Sequence, residues 1–410
     1  MKRSFRDVLT SMVLAVIVGL CFLISGCGKD AEVEDTVMDY YAEHPFESES
    51  EEKSASSEEE TLEVSHEPVS SEAASSQTML SSVPESKTIS SKNVSSKAKP
   101  IPEEKNPINL IDYTKNATYA QVDAQINTLC EAFPDLVSRG VIGQSVQGRD
   151  INLVKLGKGE KKALIVAGIH AREHITVSFA LRCIEDYSSA YYSETGRLDG
   201  YNIKELLDRF TLYIVVNCNP DGTEIVLSGV YPSTSVTVTK RSQYKANANG
   251  VNLNRNFPFM WEKIVPEAGA PDEAKYIGSA PASEPETQAL MQLCNDNSFE
   301  WLLSLHIQGD CIYWSDSVNV NAGGVSENFA NLLCRKYDFY KCPMSTDLTL
   351  FGGGFENWFR YQFSRPGFCV ELMPLDYDPF PASNRDNMRF EAALRYRDTR
   401  GIFATMMSGS

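Results

Sequence analysis

The strongest limit on how this chain can fold is an abrupt change in composition near residue 107. Residues 28–106 are dominated by Ser, Glu, Lys and Ala, with few large apolar side chains and with acidic runs such as Glu58–Glu60. Such a segment buries too little apolar surface to offset the entropy lost on folding, and its like charges repel one another. We therefore predict a disordered tether over residues 28–106 and a single folded domain over residues 107–410.

Composition also limits the partners and the kind of metal site. The 410-residue chain carries a formal net charge of −17, which argues against nucleic acid as a partner because such proteins need a basic face. Its hydrophobic content of 42% is enough to build a sizeable core. The cysteines form no Cys-x-x-Cys pair, so a thiolate metal site is not expected.

The first 27 residues have the pattern of an export signal. Lys2, Arg3 and Arg6 form a positive start, and the apolar run Met12–Ile24 that follows is shorter than a membrane span. The run leads into Ser-Gly-Cys27, which resembles the lipobox of bacterial lipoproteins. That resemblance implies lipidation at Cys27 and a membrane anchor at the outer face of the bacterial cytoplasmic membrane. An ordinary signal peptide or an uncleaved anchor remains the alternative.

Beyond Ile108, short apolar runs alternate with stretches of helical apolar spacing. This alternation predicts an α/β fold with a mixed, mostly parallel central sheet flanked by helices and preceded by the disordered tether. The predicted strands are Ile151–Leu156, Ala163–Ile169, Leu212–Val216, Trp301–Leu305 and Phe368–Leu372. The predicted helices are Tyr119–Phe133, Val177–Tyr187, Glu286–Cys294 and Asn387–Met407.

Two histidines follow directly on predicted buried strands. His170 comes after the run that starts at Ala163, and His306 comes after Trp301–Leu305. Because the carboxyl ends of parallel strands meet at one edge of a sheet, we expect these side chains to lie together there. Glu173 follows His170 in the next turn of chain, and His, Glu and His supply three zinc ligands while leaving a fourth position for water. The pattern predicts one catalytic zinc ion per chain.

The segment His170–His174 also fits an inverted zinc motif, His-x-x-Glu-His. In that alternative, His170 and His174 both bind the metal and Glu173 is the base. The alternative requires a helix through the motif, whereas here a buried strand with Gly168 at its end leads into it. It also leaves His306 without a role, and we therefore expect His174 to lie in the wall of the pocket.

The segment Gly168–Thr176 resembles the zinc signature of the metallocarboxypeptidases, the carboxypeptidase A-like family, and the lipobox points to a bacterial lipoprotein member. The resemblance extends over residues 110 to 405 and recurs in order through four further motifs. These motifs are Asn219–Gly222, Gly250–Phe257, Ser304–His306 and Phe368–Glu371.

The resemblance implies the catalytic residues. His170, Glu173 and His306 would bind the zinc ion. Glu371 would be the general base of the hydrolysis.

It also implies four cationic or polar partners for the substrate. Arg255 and Asn254 would grip a terminal carboxylate, and Arg172 would provide a further cation for the substrate. Lys245 has the spacing expected for the cation that stabilises the oxyanion, and Arg241 is the alternative for that role.

Three positions depart from the family's pattern, and one of them is the cation at Lys245, since a lysine lacks the guanidinium fork. Asn252 stands where the family has an Asp that orients a zinc-binding histidine, so we expect weaker zinc binding through His170. No Tyr occurs near Thr349 or Leu350, where the family has a mobile Tyr that helps to bind the terminal carboxylate. The lack of that Tyr weakens the case for strict removal of C-terminal residues.

Glu356 occupies the position that lines the floor of the family's S1′ pocket, which accepts the side chain after the scissile bond. A buried carboxylate there favours lysine, arginine or the amino-bearing end of diaminopimelate. Together with the lipobox and the tether, this points to peptidoglycan stem peptides, since some bacterial family members cleave the γ-D-glutamyl bond to diaminopimelate. The expected function is a zinc-dependent peptidase acting at or near a C-terminus. The alternative is a catalytically inactive lipoprotein of the same fold that binds cell-wall peptides.

Overall fold

The computed structural model describes residues 110–113, 117–230, 236, 238, 240–319, 323–373 and 399–409. The predicted signal segment, the lipidation site Cys27 and the predicted tether lie outside these residues, and so does most of the predicted helix Asn387–Met407. Among the described residues, no helix combines the length and the apolar character needed to cross a membrane.

The described residues form an eight-stranded sheet and a separate two-stranded one. The strands are β1 (Val137–Gln144), β2 (Asp150–Gly157), β3 (Lys161–Val166), β4 (Arg197–Leu198), β5 (Tyr201–Asn202), β6 (Phe210–Val215), β7 (Phe299–His306), β8 (Cys311–Tyr313), β9 (Tyr340–Lys341) and β10 (Gly367–Glu371). The large sheet has the order β1-β2-β6-β3-β7-β10-β8-β9, and β4 pairs with β5. The central strands β6, β3, β7 and β10 run parallel, while β1, β2 and the β10–β8 pairing are antiparallel. The expected mixed, mostly parallel sheet is confirmed.

Helices cover both faces of the sheet. They are α1 (Tyr119–Ala132), α2 (Ile175–Tyr192), α3 (Ile203–Arg209), α4 (Pro220–Ser228), α5 (Pro285–Asn295), α6 (Gly323–Tyr337), α7 (Leu348–Phe351), α8 (Phe355–Phe363) and α9 (Ile402–Ser408). Short 3₁₀ turns occur at Arg241–Gln243, Leu253–Arg255 and Trp261–Lys263.

The alternation of side chains along β3 shows how two cores arise from one strand. Ala163 and Ile165 join the core beneath α1, α2 and α9, whereas Leu164 and Val166 join the core beneath α5 and α8. Successive residues of a strand point to opposite faces, so a strand covered on both sides must be apolar throughout. This requirement explains the continuous apolar runs in the sequence and leaves the carboxyl edge of the sheet as the place where polar side chains converge.

Of the predicted helix Asn387–Met407, the described residues confirm Ile402–Met407, whereas Thr399–Gly401 are not helical because α9 begins only at Ile402. The hydroxyl of Tyr187 donates to the carbonyl of Arg400 at 2.9 Å and accepts from the amide of Ala404 at 2.7 Å. A side chain from α2 therefore stands between the two backbone groups that a continuous helix would join. Gly401 lies beside it, and a Cβ there would lie 2.1 Å from an oxygen of Asp199, so a larger residue would require that side chain to move.

The start of the described chain is held to α2 by one buried carboxylate. Tyr113 donates its hydroxyl to Glu185 Oε2 at 2.7 Å, and the amide of Leu110 donates to Glu185 Oε1 at 2.6 Å. Burial, followed by the charge of Glu185, raises the pKa of Tyr113 well above its usual range, so the hydroxyl stays protonated and remains a donor. These contacts attach the beginning of the folded domain to its core.

Replacing Tyr113 by Phe removes that hydroxyl while keeping the ring. We expect the free energy of unfolding to fall by about 1–2 kcal/mol, because the buried Glu185 carboxylate loses a donor. Urea denaturation monitored by circular dichroism measures the change. The matched control is Tyr361→Phe, since Tyr361 is 55% exposed and its replacement is expected to leave stability unchanged. Equal unfolding midpoints for the two variants would show that the hydrogen bond from Tyr113 to Glu185 does not stabilise the domain.

Candidate active site

Strand register brings His306 and Glu371 together at the carboxyl edge of the sheet. The last residues of β7 and β10 are these two, and they are direct partners in the parallel pairing of the strands. Strand β3 lies on the other side of β7, and the chain that leaves it carries His170. The prediction that the two histidines meet at one edge of the sheet is confirmed.

A tight turn after β3 places His170 and Glu173. Gly168 has φ +64°, and a Cβ there would lie 2.6 Å from Oδ1 of Asn217, so both the conformation and the space require glycine. Residues 170–174 are not helical, and α2 begins at Ile175. The inverted zinc motif therefore lacks the helix that it needs.

The predicted position of His174 in the pocket wall stays a prediction. Its side chain is buried, but the residue is not among those that line the pocket described below. Its carbonyl accepts from the amides of Val177 and Ser178, which places the residue at the start of α2.

The carboxylate of Glu173 bridges the two histidines. Glu173 Oε1 lies 2.8 Å from Nδ1 of His170, and Oε2 lies 3.0 Å from Nδ1 of His306. One ligand atom from each residue falls within 4.8 Å of the others, and all three residues are buried. Two imidazole nitrogens and a carboxylate that converge in this way match the three protein ligands of a catalytic zinc site.

The electrostatics of the three residues also fit a bound cation. Burial lowers the pKa of His170 to about 4, which keeps the ring in its neutral, metal-binding form. Burial acts in the same direction on His306, but the carboxylates of Glu173 and Glu356 outweigh it and raise the pKa of His306 to about 10. A zinc ion would supply the positive charge that these buried carboxylates otherwise draw from a proton on His306.

Each histidine has a second contact that fixes the orientation of its ring. Nε2 of His170 lies 3.2 Å from Oδ1 of Asn252, whose Nδ2 donates to the carbonyl of Ala274 at 2.8 Å. Because the amide nitrogen of Asn252 is already engaged, its oxygen faces His170 and accepts from Nε2, which leaves Nδ1 free to bind a metal. Nε2 of His306 similarly lies 3.2 Å from Oε1 of Glu356.

Glu371 has the properties of a proton acceptor. Its Oε1 accepts from the thiol of Cys369 at 3.7 Å, while its Oε2 is buried and has no hydrogen-bond partner in the described structure. Burial raises the pKa of Glu371 to about 7, although the charges of His306 and Lys245 act against it. A carboxylate with an unpaired oxygen and a pKa near neutrality is suited to general acid–base chemistry.

One pocket contains most of the site residues that the sequence predicts. It encloses about 160 Å³, roughly the volume of five water molecules. Its lining residues are His170, Lys245, Asn254, Arg255, His306, Tyr313, Phe351, Glu356, Asn357, Arg360, Cys369 and Glu371. Glu173 lies buried between its two histidine partners. Arg172 is outside this lining and donates to the carbonyl of Ser242 at 3.3 Å, so its role in substrate binding stays a prediction.

Backbone contacts bring Lys245 beside the metal ligands. The amide of Ala171 donates to the carbonyl of Lys245 at 3.2 Å, and the amide of Arg172 donates to that of Tyr244 at 3.0 Å. Burial and then the neighbouring Arg172 lower the pKa of Lys245 from its usual value. The side chain of the alternative cation, Arg241, lies outside the described part of the structure.

Asn254 and Arg255 are held in place at the other side of the pocket. Asn254 Oδ1 accepts from the amide of Phe355 at 2.7 Å, and Arg255 Nη1 donates to the carbonyl of Asn254 at 2.7 Å. Burial lowers the pKa of Arg255, while the charge of Glu356 acts in the opposite direction. An arginine of this kind presents several N–H donors to a substrate carboxylate.

Five residues that line the pocket were not predicted from the sequence, namely Tyr313, Phe351, Asn357, Arg360 and Cys369. Tyr313 reaches the pocket from β8, where it is the antiparallel partner of Cys369. No sequence signal places that short strand beside β10. Arg360 did leave a signal, because it lies one helical turn after Glu356 and such residues share a face of a helix.

Comparisons with known proteins agree with this geometry. A family model described as zinc carboxypeptidase matches residues 122–338. Gamma-D-glutamyl-L-diamino acid endopeptidase 1 of Lysinibacillus sphaericus is 30% identical over 305 residues, covering 72% of this chain and 73% of that protein. Carboxypeptidase B of Rattus norvegicus is 28% identical over 279 residues, covering 63% of this chain and 64% of that protein.

Solved structures support the fold. Bovine thrombin-activatable fibrinolysis inhibitor, in complex with tick carboxypeptidase inhibitor, matches with a TM-score of 0.51 and 20% identity over 72% of this chain and 97% of that chain. Carboxypeptidase A from Helicoverpa armigera matches with a TM-score of 0.54 and 19% identity over 72% of this chain and 74% of that chain.

The family match spans more than half of the chain, and it coincides with a buried His-Glu-His cluster at the carboxyl edge of the sheet. Enzymes of the matched family are peptidases that use one zinc ion, so this protein is a hydrolase with zinc as its cofactor. The chain belongs to the zinc carboxypeptidase family.

Proposed function

We propose that this enzyme hydrolyses peptidoglycan stem peptides at the bond between γ-D-glutamate and a diamino acid. The observation that carries the proposal is Glu356, a carboxylate 3% exposed that lines the same pocket as Arg255, His306 and Glu371. A buried carboxylate in a substrate pocket favours a side chain that bears an ammonium group. The relative from Lysinibacillus sphaericus, a γ-D-glutamyl-L-diamino acid endopeptidase, supports the same bond.

In this proposal His170, Glu173 and His306 hold the zinc ion, which when bound polarises the scissile carbonyl and lowers the pKa of the attacking water. Glu371 accepts the proton of that water on its unpaired Oε2. The same carboxyl then donates the proton to the leaving amine, which is the nitrogen of the diamino acid.

Four other pocket residues orient the diamino acid or stabilise the charge that develops during the reaction. Arg255 and Asn254 bind the carboxylate next to the leaving amine through N–H donors. Lys245 contributes a positive charge near the carbonyl oxygen, where a charge acts more strongly than it does in bulk water. Glu356 receives the side-chain ammonium, and it has lone pairs to spare beyond its contact with His306.

Cys27 and the segment after it indicate where in the cell the enzyme acts. We infer that a lipid on Cys27 anchors the enzyme outside the cytoplasmic membrane and that residues 28–106 act as a flexible tether. A flexible chain of about 80 residues has a root-mean-square reach of about 50 Å, which gives the catalytic domain access to the cell wall.

Replacing Glu371 by Gln tests the general base. We expect the rate of stem-peptide cleavage to fall by about 10²–10⁴-fold, since the amide cannot accept the proton. Zinc content is expected to match that of the wild type, because Glu371 is not one of the metal ligands. Hydrolysis is followed by chromatography of the released diaminopimelate, and a chelator-treated sample gives the background rate.

The choice of substrate tests the proposed bond. The full-length enzyme is given L-alanyl-γ-D-glutamyl-diaminopimelate and, separately, an unbranched α-linked peptide that ends in lysine. We expect chelator-sensitive cleavage of the stem peptide. Cleavage of the linear peptide alone would make the enzyme a general carboxypeptidase and contradict the proposal.

Replacing Asn252 by Asp tests the contact behind His170. A carboxylate at this position makes the ring a stronger donor, so we expect zinc to bind about 10-fold more tightly. Competition with a chromophoric chelator measures the dissociation constant. Asn254→Asp is the matched control, since Asn254 contacts the amide of Phe355 and not the histidine. If the dissociation constant for zinc is unchanged in Asn252→Asp, the contact between Asn252 and His170 does not contribute to zinc binding.

Replacing Cys27 by Ser tests the anchor. In bacteria that express the full chain, we expect this variant to leave the membrane fraction while the wild type stays in it, because the serine cannot carry the lipid. Cys21→Ser is the control and is expected to remain membrane-bound. Equal membrane retention of all three proteins would argue for an uncleaved anchor instead.

A further inference from the structure

A cysteine that has no role in the chemistry proposed above stands beside the general base. Cys311 begins β8 and is the antiparallel partner of Glu371, so the two side chains lie on the same face of the sheet. The space around Gly309 gives a second measure of this approach. A Cβ on Gly309 would lie 3.2 Å from Sγ of Cys311 and 3.7 Å from Cβ of Glu371.

Cys342 approaches Cys311 from the neighbouring strand. It directly follows β9, in which Tyr340 is the parallel partner of Cys311. The amide of Cys342 donates to the carbonyl of Ile312 at 3.0 Å, and its carbonyl accepts from Nε1 of Trp314 at 2.9 Å. Because side chains two residues apart on a strand share a face, Cys342 points to the same side of the sheet as Tyr340 and Cys311.

The side chains of Cys311 and Cys342 are in direct contact, and both residues are buried and carry free thiols. The thiol of Cys311 donates a hydrogen bond to the sulfur of Cys342, and this contact lowers the pKa of Cys342 from its usual value. The same contact, together with burial, raises the pKa of Cys311. Cys342 is therefore the sulfur that ionises first, and the thiolate is the form of cysteine that attacks a disulfide.

Two other thiols lie nearby but are less suited to pair with Cys342. Cys369 is engaged by the general base, because its thiol donates to Oε1 of Glu371 at 3.7 Å. Cys334 lies on α6 instead of on the sheet, and burial raises its pKa to about 11. A thiol with so high a pKa is seldom ionised, which leaves Cys311 as the partner of Cys342.

We propose that Cys311 and Cys342 form a disulfide bond that ties β9 to β8 beside the general base. The thiolate of Cys342 attacks one sulfur of an oxidant disulfide, forms a mixed disulfide with it and releases the first thiolate. Cys311 then gives up its proton, attacks the sulfur of Cys342 and releases the second thiolate. Two protein thiols are oxidised, the oxidant disulfide is reduced to two thiols, and the two protons pass to the leaving sulfurs.

The oxidant belongs to the class of disulfides, either a small molecule or the active-site disulfide of a thiol-oxidising protein. Such oxidants act outside the cytoplasmic membrane, where we infer that this enzyme resides, whereas the cytosol keeps thiols reduced. The inference therefore rests on the proposed location of the enzyme and not on the identity of its substrate.

The bond would stabilise a weakly held edge of the sheet. Strand β8 has three residues and the edge strand β9 has two, so few backbone hydrogen bonds join them. Strand β8 also carries Tyr313, which lines the pocket. A bond between Cys311 and Cys342 closes a loop of about 30 residues that includes α6, and closing such a loop restricts the unfolded chain.

Peptide mapping tests the pairing on the full-length, zinc-loaded protein. The protein is reduced with a phosphine, transferred into a buffer of reduced and oxidised glutathione, and alkylated to block the thiols that remain. Chymotrypsin then separates Cys311 from Cys294 and Cys334, and mass spectrometry of the unreduced digest identifies linked peptides. We expect the peptides of Cys311 and Cys342 to be linked and to separate on reduction.

Thermal melting tests the stabilisation. We expect the wild type to melt about 5 °C or more higher in the oxidised than in the reduced state, because the bond restricts the unfolded chain. Cys311→Ala and Cys342→Ala are each expected to melt at the same temperature in both states. Cys294→Ala, which removes a buried thiol from α5, is the matched control and is expected to keep the wild-type difference. Each variant is compared with itself, so any loss of stability from the substitution cancels.

The outcomes decide the pairing and the stabilisation separately. If Cys311 and Cys342 stay alkylated at every glutathione ratio, or if Cys342 is linked to Cys334 or Cys369 instead, the proposed bond is wrong. If the bond forms but leaves the melting temperature unchanged, its stabilising role is wrong. Neither result involves the substrate, so each would leave the proposed hydrolysis intact.

Discussion

The structure of the site depends on one buried carboxylate, that of Glu173, placed between two imidazole rings. A buried charge is costly unless it is paired, and Glu173 has a histidine nitrogen at each oxygen. One of those histidines ends β7, and the other follows the turn after β3, so the parallel pairing of these strands fixes the distance between them. The apolar strands therefore determine the geometry of a polar cluster that lies at their carboxyl ends.

Residues around the two histidines hold the rings and the pocket wall in place, in two successive layers. Asn252 and Glu356 fix the two rings from behind, and the ion pair of Arg360 with Asp316 fixes the far side of the pocket. Glu356 belongs to both layers, since it contacts His306 and also faces the space that the substrate enters. In the function proposed above, metal binding and substrate selection would be coupled through this single carboxylate.

The sequence predicted those parts of the site that depend on local patterns. His170 and His306 stand after apolar runs long enough to identify buried strands, and Glu371 ends another such run. Contacts between distant segments left no comparable signal. The hydroxyl of Tyr187 replaces a helical hydrogen bond at Arg400, and β8 carries Tyr313 to the pocket through pairing with β10. Neither arrangement can be inferred from spacing along the chain, because each is decided by packing between segments far apart in sequence.

The metal content of two single-residue variants tests the central claim most directly. Elemental analysis would be performed on the wild type, on Glu173→Gln and on His174→Gln, each purified with limiting zinc. We expect one zinc ion per chain in the wild type and in His174→Gln, and strongly reduced zinc in Glu173→Gln. Full zinc occupancy in Glu173→Gln together with its loss in His174→Gln would contradict the bridging carboxylate and favour the inverted motif.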